Sequence, residues 1–256
     1  MIRIPRDLIR HLEWTPGGEQ PPAHTPPQTM PSPVVPSSLS IENLTDRYVI
    51  SPIVYRDGLY QVSLSKKLLD NGAERVQEDW VSYLAPTEWR LASGPLAMAL
   101  YTSLYMERQG THKATISKIQ RMLRKDHRDE WMMTGTRIKY MPKGLDEVIH
   151  EYGTPEAYSV NLKMVGPDEW VTPTSGFEDS IEALLGTRDL ALVQQVSSWA
   201  SGKKPYLWRV NERPKKLDER ALVLGVVNDV RFNINAYDDV DSNRPARGVA
   251  VQKISP

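Results

Sequence analysis

The chain has no cysteine, only two phenylalanines, no net charge and no long apolar run. Without a thiol there can be no disulfide framework, no thiolate metal site and no cysteine nucleophile, and a reducing, cytoplasmic location is expected. Thirty-two basic and 32 acidic residues balance, so no global field draws the protein to nucleic acid or to a membrane surface. The longest charge-free apolar run lies near Ala221–Val227. It suits a buried strand and falls far short of the roughly 20 residues that a membrane span needs. No apolar segment follows Met1–Asp7, so a secretory signal is not expected. Walker, dinucleotide-binding and nucleophile-elbow motifs are all missing. The histidines His11, His24, His112, His127 and His150 share no ligand spacing, so neither metal nor other cofactor is expected. The acidic run Asp238-Asp239-Val240-Asp241 lacks the glycine and closing glutamate of a calcium loop and reads as a solvated turn.

What is abundant is proline, and it is unevenly placed. Eight of the 20 prolines lie between Pro16 and Pro36, among Gly, Ser, Thr and Gln. Such a stretch cannot build a core. Residues 1–40 are therefore expected to form a proline-rich arm. A short anchoring helix is expected over residues 5–14, with Leu8, Ile9, Leu12 and Trp14 placed to dock to a partner. Residues 41–256 are expected to form one α+β domain.

That domain opens with a hairpin, Tyr48–Tyr55 and Leu59–Leu64, turning at Asp57-Gly58, with an edge or a bulge at Pro52. Residues 66–85 hold a short helix and a loop. The strongest helix begins at Gly94-Pro95 and ends before Gly110. Leu96, Leu100 and Leu104 form one of its rows, and Ala97, Tyr101 and Tyr105 form the next. With so little polar surface it should be buried at the centre. A second helix, about His112–Lys125 with Thr111 as its cap, turns Ile116, Ile119 and Leu123 inward. Its other face carries Lys113, Lys118, Arg121 and Arg124. Such a stripe could meet phosphate, but a solvated face is the simpler reading.

Further on, Thr136–Tyr140 reads as a strand, Gly144–Tyr152 as a helix, and Tyr158–Met164 as a strand. A helix Phe177–Leu185 ends at Gly186. Leu190–Val196, Tyr206–Val210, Arg220–Val227, Val230–Tyr237 and Gly248–Ile254 read as strands, with a tight hairpin at Asn228-Asp229. Helices early and strands late point to α+β rather than to a doubly wound parallel sheet.

Ala92-Ser93-Gly94-Pro95-Leu96-Ala97-Met98-Ala99-Leu100 resembles the start of the central helix in papain-like peptidases of the bacteriocin-leader-processing (double-glycine peptidase) type, which place Cys-Gly-Pro there. Glu88 stands where that family has an oxyanion-forming glutamine. Glu219-Arg220-Ala221-Leu222-Val223-Leu224-Gly225 is similar to its histidine-bearing strand, with Glu219 or Arg220 in the histidine's place. Val230–Asp238 is similar to the strand that ends in the family's Asn or Asp, with Asn235 or Asp238 as the counterpart. The helix Ile181–Leu185 followed by a strand Leu190–Val196 fits the same order. The likeness covers roughly residues 85–240.

The resemblance implies a papain-like scaffold, a buried central helix packed against an antiparallel β-meander, whose reactive positions Glu88, Ser93, Glu219 and Asn235 are degenerate. A serine hydroxyl needs a positioned base, and no histidine lies in residues 151–256. A carboxylate at the oxyanion position would oppose the stabilisation such sites provide. The expected function is thus a non-catalytic binding or assembly subunit. Its partners would be other protein subunits or an extended peptide, in a homo- or hetero-oligomer. The alternatives are a hydrolase or acyltransferase using Ser93 and a nucleic-acid-associated protein using the basic helix 113–125, although nucleic acid is not an expected partner.

Overall fold

A computed structural model describes residues 38–255. The proposed anchor, Leu8, Ile9, Leu12 and Trp14, and most of the proline-rich stretch lie outside the described residues. The rest is a mixed α/β fold with five α-helices and two sheets.

The expected hairpin is present as β2 (Arg47–Tyr55) and β3 (Gly58–Ser65), joined by Arg56 and Asp57, with Arg56 at φ +50°. The register slips between Ile50 and Ile53, so Pro52 sits at a bulge, where its missing N–H costs no ladder bond. With β1 (Ser40–Asn43), β4 (Arg90–Leu91) and β12 (Gly248–Ser255) these strands form an antiparallel five-stranded sheet, in the order β1-β2-β3-β12-β4. A 3-10 turn (Leu69–Gly72) and α1 (Gln77–Leu84) occupy the stretch after the hairpin.

Helix α2 (Gly94–Met106) is the central element that its sequence promised. Leu96, Leu100 and Leu104 are fully buried against Ile50, Val62 and Leu64 of the five-stranded sheet and Ile116, Ile119 and Leu123 of α3 (Lys113–Asp129). Ala97 and Met98 belong to a second core, shared with α4 (Glu178–Leu185), α5 (Leu190–Ser201) and the larger sheet. One helix therefore serves two cores. Each buried leucine contributes roughly 1.5–3 kcal/mol. The close fit at its start leaves no room for a side chain at Gly94: a Cβ there would lie 2.1 Å from the Leu184 carbonyl oxygen.

The larger sheet has seven strands, in the order β7-β6-β5-β10-β11-β9-β8. They are β5 (Met132–Tyr140), β6 (Asp146–His150), β7 (Tyr158–Leu162), β8 (Glu169–Trp170), β9 (Pro205–Arg209), β10 (Asp218–Val227) and β11 (Arg231–Asp239). Asn228 and Asp229, both in the left-handed region, make the expected hairpin between β10 and β11.

Four expectations are corrected. Residues 146–150 form a strand, not a helix: Asp146, Val148 and His150 are buried alternately, and β6 pairs on both sides. Residues 190–196 belong to a helix, not a strand. Asp189 accepts the Leu192 N–H at 2.9 Å, Gly202 closes the end at φ +81°, and Leu190, Val193, Val196, Ser197 and Ala200 recur at helical spacing. The meander is not wholly antiparallel, because β9 runs parallel to β11, and helices alternate with strands along the chain. Helix α3 starts one residue later than expected, with His112 and not Thr111 at its cap position. Among the described residues no helix is long and apolar enough to cross a membrane.

Candidate functional site

The residue that the resemblance singles out, Ser93, caps α2. Its extended backbone (φ −66°, ψ 162°) turns the side chain back over the helix start, and Oγ accepts the Leu96 N–H at 3.4 Å. The hydroxyl donates to Glu151 Oε1 at 2.7 Å and lies 3.3 Å from the Tyr55 hydroxyl. Tyr55, at the end of β2, donates to the same carboxylate oxygen at 2.7 Å and approaches the Tyr158 hydroxyl at 3.4 Å. The other oxygen, Oε2, faces Arg90 Nε at 3.3 Å. Ser93 is 0 % exposed and Glu151 is 1 % exposed.

Glu151 reaches this position through a left-handed backbone (φ +53°) just after β6. For a residue other than glycine this costs on the order of 1–3 kcal/mol, which the surrounding bonds must offset. Burial, and next the Glu151 carboxylate, push the Tyr55 phenol far above its ordinary range. Burial raises Tyr158 as well. Both therefore act as neutral hydroxyls, and Tyr55 donates its proton to the carboxylate.

The helix start has no free donor. The Gly94 N–H goes to Thr136 Oγ1 at 2.9 Å, Pro95 has none, Leu96 bonds Ser93 Oγ, and the Ala97 N–H goes to the Ser93 carbonyl. Thr136 in turn meets His150 Nδ1 at 2.9 Å, and His150 Nε2 meets the Ala183 carbonyl at 2.8 Å. This chain calls for a neutral imidazole that donates from Nε2 and accepts at Nδ1 from the threonine hydroxyl. Burial lowers its pKa to about 4, in the same direction. His150 is thus a buried strand residue bracing α2 against α4, not the helix-end histidine expected from the sequence.

The predicted constellation does not assemble. No hydrogen bond or ion pair joins Ser93, Glu88, Glu219 and Asn235 to one another. Glu88 is exposed and pairs with Arg47 at 2.7 Å. Glu219 Oε2 lies 3.3 Å from Arg137 Nη1, in a cluster with Glu78 and Tyr152. Asn235 Oδ1 accepts the Tyr237 N–H at 2.8 Å. Lys113, Lys118, Arg121 and Arg124 lie on the exposed face of α3, while Ile116, Ile119 and Leu123 point inward as expected. Arg124 donates to the Trp199 carbonyl at 3.1 Å. The distant partners that Ser93 does have, Glu151 and Tyr55, and the Arg90 that pairs with Glu151, escaped sequence reasoning. The one local hint was the Glu-Tyr-Gly turn after a β-branched run. Among the described residues no group of three or more His, Asp or Glu side chains could hold a metal ion.

Outside this sealed cluster runs a trench. Its larger part, about 550 Å³, is lined by Val54, Met98, Met106 and Leu192, with Tyr55 and Tyr158 between it and Ser93. A second part, about 450 Å³, lies along Val160 and Leu162 of β7 and Asp179 and Glu182 of α4. Pro95, Tyr158 and Gly186 line both, so the two parts adjoin at the start of α2. Arg56 stacks over the Tyr158 ring at 4.1 Å in this region. Ser93 and Glu151 line neither part.

No protein-family model, no curated protein and no solved structure matches the chain.

Proposed function

We propose that the chain is a non-catalytic protein-binding module, a subunit of a larger assembly, on a papain-like scaffold that no longer supports the peptidase reaction. The trench past the start of α2 holds an extended segment of a partner protein. The observation that carries this reading is the enclosure of Ser93. Its hydroxyl is fully buried, donates to Glu151 and accepts from Leu96, while the apolar trench passes outside it. A nucleophile must reach its substrate, and an oxyanion must find unspent donors. Here the N–H groups at the helix start are all engaged. An apolar groove with a few polar groups suits side chains of an extended peptide, bound by shape and burial.

Displayed extended peptides panned against the full-length chain test the reading. Recovered sequences should bind the wild type and lose binding to Leu192→Arg, which places a charge in the trench. Failure to recover a binder, or binding indifferent to that substitution, defeats it. The Ser93–Glu151 bond of 2.7 Å favours one other reading, a serine hydrolase with a carboxylate base. That enzyme would have to swing Tyr55 and Tyr158 aside before each turnover. Labelling by a fluorophosphonate probe that disappears in Ser93→Ala would establish it, and equal labelling of both proteins would end it.

A further inference from the structure

Among the described residues the two sheets end in four edge strands, three of them shorter than the fourth. β1 has four residues, β4 two and β8 two. β7 has five, Tyr158-Ser159-Val160-Asn161-Leu162, and closes the larger sheet with an unbroken register to β6. Edge strands usually carry lysine, proline or a bulge that discourages further pairing. β7 has none of these. Its middle residues Ser159, Val160 and Asn161 are exposed. Among the described residues, the β7 backbone groups that point away from β6 have no backbone partner.

We propose that β7 pairs with β7 of a second copy, antiparallel about Val160, and joins two larger sheets across a two-fold axis. In that register Tyr158 faces Leu162, Ser159 faces Asn161, and Val160 faces itself. The first match is aromatic against aliphatic, the second is polar against polar, and neither brings like charges together. The uncharged strand is therefore its own complement, as a two-fold interface requires. Charge at the flanks selects the antiparallel direction. Lys163 follows the strand and Glu156 precedes it. Antiparallel pairing carries Lys163 of each copy to the end where Glu156 of the other lies, whereas parallel pairing would set lysine beside lysine. The interface rests on the strand edge alone and does not depend on the peptide reading of the trench.

Light scattering coupled to gel filtration of the full-length chain, over a wide concentration series, tests it. The wild type should run at twice the mass of one chain. Val160→Lys and Val160→Glu place like charges face to face at the axis, so each alone should run as a single chain. An equimolar mixture of the two should recover the doubled mass. Hydrogen exchange of the wild type needs no substitution: the β7 amides should gain protection as concentration rises. A wild type that stays a single chain, as it would if β7 awaited a different protein, overturns the proposal. So does a Val160→Lys protein that still doubles, a mixture that does not recover, or β7 exchange that ignores concentration.

Discussion

Replacing Ser93 by alanine removes one oxygen from a buried polar cluster, and its cost can be worked from the bonds lost. The cap bond to Leu96 is long at 3.4 Å, so it belongs at the lower end of the cap range, about 0.5–1 kcal/mol. The bond to Glu151 is 2.7 Å and charge-assisted, worth about 1.5–3 kcal/mol. Glu151 Oε1 keeps the Tyr55 hydroxyl, so the carboxylate is not orphaned and the loss should fall at the low end of that range. The sum is about 2–3 kcal/mol, equivalent to a fall in Tm of roughly 4–12 °C for a domain of this size. Urea unfolding followed by the fluorescence of the seven tryptophans measures it, with an unchanged m-value expected. The sharper test is a cycle with Tyr55→Phe. Either single change leaves Oε1 one donor, and only the double change leaves it none. The double variant should therefore lose more than the sum of the singles, by at least about 0.5 kcal/mol. A Ser93→Ala protein as stable as the wild type, or strict additivity in the cycle, would refute the account of the cluster.

Four other outcomes follow from the packing and the titrating groups. Gly94→Ala puts a Cβ 2.1 Å from the Leu184 carbonyl oxygen and 2.8 Å from Leu222 Cδ2, so α2 must shift against α4. A loss of about 3 kcal/mol or more, or failure to fold, is expected in urea titration. Gly186→Ala adds a side chain at φ +72° and 2.9 Å from Pro95 Cβ, and should cost about 1–2 kcal/mol by the same measurement. Asp189→Ala removes the α5 cap and should cost about 1 kcal/mol, with lower helicity by circular dichroism. Burial lowers His127 and His150 to about 4 in the fold. The unfolded chain titrates near 6.5 and then binds protons the fold cannot accept. Stability should thus be intact above pH 6.5 and fall as pH drops towards 4, by at most about 1.4 kcal/mol per pH unit for each histidine. His127→Gln should shallow that slope in unfolding titrations across the window, and an unchanged slope would remove His127 from the explanation.

Much of the fold was legible because its signals are local. The two apolar rows of α2, the Gly94-Pro95 start, the Gly186 stop of α4, the hairpin around Asp57-Gly58 and the turn at Asn228-Asp229 each depend on residues within one or two turns of chain. Where local signals competed, the reading failed. Leu190–Val196 offers a strand only Val193 and Val196, whereas its Leu, Ala and Gln residues, the Asp189 cap, the Gly202 stop and the burial of every third or fourth residue select a helix. Residues 146–150 suit a helix in isolation, yet partners on both sides take up their backbone groups as a strand.

The amino-acid sequence by itself determined that a nearly apolar helix must lie at the centre, that α3 must present a basic face outward, and that no thiol chemistry is possible. Only the tertiary structure decided what Ser93 does. Its partners Tyr55 and Glu151 lie 38 and 58 residues away along the chain, and Glu151 turns towards it through a left-handed backbone that nothing in its own sequence demands. Helical rows and caps are written by near neighbours, whereas a buried carboxylate is directed by whichever distant hydroxyls the packed sheets bring within 3 Å of it.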